Sequence, residues 1–179
     1  MNAMAEQQDC LEWVQPALAA ALFAVDPSGL QGIVLRAQPG PVRDQWLEQL
    51  HELLPQGAPW RKMPLHIGDD RLLGGIDLTA TLRSSRPVAE RGLLAESDGG
   101  VLLIAMAERL ESGIAARLAA VLDTGVVAVE RSGLSQRLST RFGVIALDED
   151  LDEEESTPEA LKDRMAIHLN LETIPIQQI

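Results

Sequence analysis

The chain has 179 residues, 46% apolar and 23% charged, with 15 basic against 27 acidic side chains for a net charge of −12. That is enough length and apolar content for one domain with a buried core, and it excludes disorder throughout. The negative field repels nucleic acid and anionic membranes, a 3% aromatic content without tyrosine excludes base-stacking platforms, and a lone cysteine, Cys10, excludes a disulfide framework and fits a reducing cytoplasm.

Residues 1–15 are expected to be a flexible lead-in and 16–179 one domain. A helix is predicted over Pro16–Val25, with proline at its start where the missing N–H costs nothing. The longest apolar stretch, Val14 to Val25, is about twelve residues and contains Gln15 and Pro16, short of the ~20 that span a bilayer. No basic segment precedes it, so neither a signal peptide nor a membrane anchor is expected. After the turn Asp26–Gly29, Gly32–Arg36 reads as a buried strand. The loop Ala37–Pro41 leads into an amphipathic helix whose stripe is Val42, Trp46, Leu47, Leu50, Leu53 and Leu54. A strand is expected at Met63–Ile67, then a loop Gly68–Arg71 and a short helix from about Asp77 to Leu82. Val101–Met106 is the most hydrophobic strand, followed by a helix near Glu111–Leu122. Val126–Glu130 and Leu134–Leu138 read as a hairpin with Ser132-Gly133 as its exposed tip. Phe142–Leu147 is a strand, Pro158–Arg164 a helix, and Ala166–Leu171 a last strand. Strands alternating with helices predict an α/β fold with a mostly parallel sheet.

Asp148 to Glu155 holds seven carboxylates in eight residues. It reads as a solvated loop; the alternative, a divalent-cation site, fits poorly because the run lacks the glycine turn of calcium loops. His51, His66 and His168 are scattered, and no HExxH, GxSxG or CxxC occurs. Cys10 has no adjacent base. No metal or cofactor site is therefore expected.

The first strand–loop–helix unit stands where nucleotide-binding α/β folds carry a phosphate loop, GxxxxGK[ST]. Laid on that pattern, Ala37 and Val42 replace the two glycines, Gly40 lies between them, Arg43 replaces the lysine, and Asp44 replaces the magnesium-binding hydroxyl. Pro39 and Pro41 have no N–H to offer a phosphate. These residues read equally as a degenerate phosphate loop or as a strand–turn–helix that never was one.

Five ordered segments decide between these readings. Gly68-Asp69-Asp70-Arg71-Leu72-Leu73-Gly74-Gly75-Ile76-Asp77-Leu78, Arg86-Pro87-Val88 through Arg91-Gly92-Leu93-Leu94-Ala95-Glu96, Gly100–Met106, Gly125–Phe142 and Pro158–Arg164 together resemble the AAA+ module of magnesium chelatase, above all its D type. The likeness runs from about Gly32 to Leu171. Where active members end the Walker B strand in Asp-Glu, this chain has Ala105 and Met106. Where they carry a sensor asparagine, it has Ala146-Leu147-Asp148-Glu149-Asp150.

The resemblance implies a P-loop-like α/β subdomain with an inserted hairpin, a fragment of a longer chain without the helical lid. It implies a non-catalytic platform that binds no nucleotide. Such a platform assembles with the ATPase I subunit and other D subunits in a ring, for magnesium insertion into protoporphyrin IX on a porphyrin-binding H subunit. Arg164, in Asp163-Arg164, matches the family's arginine finger, which stabilises charge on a neighbour's γ-phosphate; the alternative is a helix-end contact with its own surface. A divergent but active ATPase using Gly40 and Arg43, and a stand-alone scaffold of the same fold, are the competing functions.

Overall fold

In the computed structural model, which describes residues 3–131, 134–149 and 156–174, the chain runs α1 (Ala3–Val25), β1 (Gly32–Arg36), α2 (Pro41–Leu53), β2 (Trp60–Met63), α3 (Asp69–Leu72), β3 (Gly74–Ile76), α4 (Leu78–Ser84), β4 (Ala89–Arg91), α5 (Leu93–Glu96), β5 (Val101–Ile104), a 3-10 turn (Ala107–Arg109), α6 (Ser112–Thr124), β6 (Val126–Arg131), β7 (Leu134–Ser139), β8 (Gly143–Asp148), α7 (Glu159–Lys162) and β9 (Ile167–Asn170). Five of the strands form one sheet in the order β2-β5-β8-β1-β9, every pairing parallel. The expected α/β class is borne out.

The period-two alternation of the central strands divides the core into two layers. Val34, Leu102, Ile104, Val144 and Ala146 face α6, packing on Ile114, Ala115 and Leu118. Ile33, Leu35, Val101, Leu103, Ile145 and Leu147 face α1 and α2, packing on Phe23, Trp46 and Leu50. The apolar runs β1, β5 and β8 are thus buried on both sides.

Four expectations are corrected. The first helix begins at Ala3 and passes through Pro16 rather than starting there. Proline removes one intrahelical bond, and packing on α2 offsets it: Trp46, fully buried, donates from Nε1 to the Pro16 carbonyl at 2.8 Å. The second sheet strand is Trp60–Met63, not Met63–Ile67. Its pairing with β5 ends at Met63↔Ile104, just before Pro64, and the edge position tolerates exposed Arg61 and Lys62. The expected loop Gly68–Arg71 contains the start of α3, and the glycine-rich β3 pairs antiparallel with β4, which the apolar pattern did not reveal. The acidic run is not wholly solvated, since Asp148 is the buried last residue of β8. Residues 150–155 of that run lie outside the described residues, as does the Ser132-Gly133 tip of the hairpin; β6 and β7 themselves pair antiparallel, as expected.

Candidate functional site

The residues that would form a nucleotide site collect at the C-terminal edge of the sheet, where β1, β5 and β8 end. Ala37 is buried and its N–H donates to the Asp148 carbonyl at 3.1 Å, extending the β1–β8 ladder by one bond. Gly40 caps α2 in an extended conformation, and Pro41 is the first helical residue. Val42, Arg43 and Asp44 therefore occupy the first turn of α2. The Asp44 N–H is committed to the Gly40 carbonyl at 3.0 Å, and its exposed carboxylate already complements the positive end of the helix. A cleft of about 360 Å³ beside the loop is walled mostly by apolar groups, among them Pro39, Val42, Leu171 and Ile174, with Gln38, Arg43 and Glu172 as its polar side chains.

Arg43 is 14% exposed and turned toward its own chain: Nη1 donates to Glu149 Oε1 at 2.9 Å. The Gln38 amide donates to the Glu149 carbonyl, and the Glu149 N–H donates to Glu108 Oε2 at 3.1 Å. Residue 149 is thus clamped from three directions, two of them from the loop. Its neighbour Asp148 accepts from the Thr157 N–H and hydroxyl, both at 3.2 Å. The carboxylate of Glu149 takes up the guanidinium that an active site would spend on phosphate.

At the end of β5, Ala105 is exposed, and Met106 adopts a left-handed conformation with φ 50°. That backbone state is uncommon for a residue with a Cβ and marks a sharp strand exit. Neither side chain can ligate magnesium or accept a proton. Sequence reasoning passed over Glu108, two positions on. Its side chain is 3% exposed, and burial, reinforced by the Asp148 and Glu149 charges, pushes its carboxyl above the usual range. Only a buried position gives this glutamate meaning, so no sequence signal marked it.

The cradle does not fit a nucleotide with its magnesium: two donors are prolines, the cation is paired internally, and the hydroxyl and Walker B acids are missing.

Arg164 lies at the opposite edge. It follows α7 and precedes β9, which runs parallel to β1, so it sits at the N-terminal edge of the sheet. The strands of the sheet separate it from its own loop by more than 10 Å at about 3.3 Å per residue. Its Nε and Nη2 donate to Asp123 Oδ1 and Oδ2 at 2.7 and 2.6 Å, and Nη1 donates to the Ala160 carbonyl at 2.6 Å. The hydrogen bonds from Arg164 hold the Asp123 carboxyl below its ordinary range and, in return, raise the guanidinium. The partner of Arg164 is Asp123, at the end of α6, rather than the adjacent Asp163.

His51 packs edge-on against Trp60 at 5.0 Å, His66 is an exposed side chain 3.5 Å from Glu111, and His168 is exposed on β9. Among the described residues no three acidic, histidine or cysteine side chains converge on a possible metal position, and no helix is long and apolar enough to cross a membrane.

No family model matches the chain. Over 163 residues it is 39% identical to the magnesium-chelatase 60 kDa subunit of Cereibacter sphaeroides, which covers 91% of this chain and 26% of that protein. Over 118 residues it is 37% identical to the magnesium-chelatase 67 kDa subunit of Chlorobaculum parvum, covering 66% of this chain and 19% of that protein. Among solved structures it matches, with a TM-score of 0.63 and 25% identity, a chain of the complex between the BchI and BchD subunits of magnesium chelatase, over 86% of this chain and 57% of that one. The chain is a D-type AAA+ module of the magnesium-chelatase family.

The D-type module spans 26% or less of these two curated relatives. Two of the segments that carry the resemblance meet in space. Gly74–Ile76 pairs with Ala89–Arg91, and a Cβ on Gly92 would stand 2.3 Å from the Gly74 nitrogen. Glycine at 92 is what allows the two segments to touch.

Proposed function

We propose that this D-type module is a non-hydrolysing platform of magnesium chelatase. It assembles in the cytoplasm with the ATPase I subunit, and with other D subunits in a ring, to support ATP-driven magnesium insertion into protoporphyrin IX on the porphyrin-binding H subunit, a step toward (bacterio)chlorophyll. The observation that carries this reading is the Arg43–Glu149 pair: the one cation of the loop is taken by the chain's own carboxylate. The BchI–BchD complex among the structural matches supports the I subunit as partner. Apolar side chains left exposed on α1 (Val14, Leu18, Leu22) and α4 (Leu78, Leu82) suit a module that buries surface in an assembly.

Within that assembly Arg164 acts in trans, as an arginine finger toward the nucleotide of a neighbouring I subunit. Its placement at the sheet edge opposite its own loop supports this reading, because from there it serves a neighbour's pocket and not its own.

Two measurements test the platform. Titration calorimetry of the module with magnesium-ATP is expected to give no saturable heat; a dissociation constant in the micromolar range would overturn the reading. A pull-down with the I subunit, with and without ATP, is expected to recover the complex, and failure with the full-length protein would leave only a scaffold of shared fold.

A further inference from the structure

The Arg164 guanidinium is held by groups from two different helices. Asp123 closes the last turn of α6 and takes the side-on edge, Nε and Nη2, with both carboxylate oxygens. The Ala160 carbonyl, one turn back on α7, takes one N–H of Nη1. A guanidinium has five N–H bonds. Three are thus committed, and the other two, one on Nη1 and one on Nη2, have no partner among the described residues. The side chain is 30% exposed, so those two remain within reach of an external anion.

An unrestrained surface arginine samples many rotamers and must be ordered at the moment it binds. One whose planar head is already fixed at three points presents a set direction, and alignment of this kind is what a group acting only in a transition state needs. We propose that Asp123 is the positioning residue for Arg164, orienting its free N–H edge toward an anionic group, a phosphoryl oxygen, on the adjoining subunit. This rests on the reading of Arg164 as a finger in trans. Asp123 itself touches no substrate. Its distance in sequence from the Asp163-Arg164 motif hides the pairing until α6 and α7 pack together.

The test uses the full-length protein assembled with the I and H subunits, following the rate of magnesium insertion as ATP is varied. Asp123→Ala is expected to lower kcat roughly tenfold or more, with the KM for ATP within about twofold, because an interaction made only in the transition state leaves ground-state binding alone. Asp123→Glu is expected to restore most of the rate, and Arg164→Ala combined with Asp123→Ala to be no slower than Arg164→Ala by itself. Asp123→Asn, of the same shape, gives the same comparison if the alanine variant does not fold. An active Asp123→Ala beside a crippled Arg164→Ala would overturn the positioning role and leave the finger standing. A faster Asp123→Ala would make Asp123 a latch that withholds the arginine. An Arg164→Ala as active as the wild type would remove the finger reading, and the positioning role with it.

Discussion

Glu108 is the buried carboxyl just past the end of β5. Buried beside Asp148 and Glu149, it accepts the Glu149 N–H and carries a raised pKa. A carboxyl whose pKa is higher folded than unfolded binds more protons in the native state. Its neutral form is the one the fold favours, and the stability it contributes is present in acid and lost as pH rises through its folded pKa. Glu108→Gln keeps an acceptor for Glu149 and removes the buried charge. The expected outcome is a higher melting temperature near neutral pH and little change in mild acid, read by calorimetric scans at both; equal melting at neutral pH would mean the carboxylate is not a burden. Asp123 has the opposite sign. Its lowered pKa keeps the pair with Arg164 intact until the pH falls below the ordinary carboxylate range.

Among the elements, the β3–β4 ribbon depends on backbone approach rather than on apolar burial. A Cβ at Gly92 would lie 2.3 Å from the Gly74 nitrogen and from the Leu73 carbonyl carbon, closer than side chains come to backbone. Gly92→Ala must push β3 away from the start of α5. The expected cost is about 1–3 kcal/mol, measurable as a shift in the midpoint of urea unfolding. A change below ~0.5 kcal/mol would show that the ribbon moves freely. Gly92 is not left-handed, so the effect reports crowding and not backbone strain.

On the scale of the whole molecule, the two edges of the sheet present different groups. The C-terminal edge is closed on itself by Arg43, Gln38, Glu108 and Glu149, whereas the N-terminal edge offers Arg164. If the proposed finger acts independently of the closed loop, Arg164→Ala in the full-length protein is expected to leave assembly with the I subunit measurable and to lower magnesium insertion. A fully engaged finger is worth ~10³–10⁵ in rate, and interfaces between I subunits in a mixed ring reduce the loss observed. Both readouts belong on one preparation: unchanged insertion with intact binding reduces Arg164 to a surface contact, and lost binding makes it an interface residue.

The sequence by itself determined the α/β class, because β1, β5 and β8 are continuous apolar runs that only a sheet covered on both faces can bury. It also determined the missing chemistry. Proline at 39 and 41 has no N–H in any fold, and alanine and methionine at 105 and 106 cannot ligate magnesium wherever they lie. Ordered motifs carried the D-type resemblance for a similar reason, since they depend on residue identity and spacing alone. Tertiary structure decided what depends on contacts far apart in the chain. Helix α1 passes through Pro16 because Trp46 packs beneath it. The edge strand β2 exists through its pairing with β5 and not through its own polar pattern. Asp148 and Glu149 leave the solvent because Thr157, Arg43 and Glu108 meet them. Asp123 finds Arg164 because α6 and α7 end side by side. Hydrogen bonds and ion pairs act over about 3 Å of space, and separation along the chain does not encode that distance.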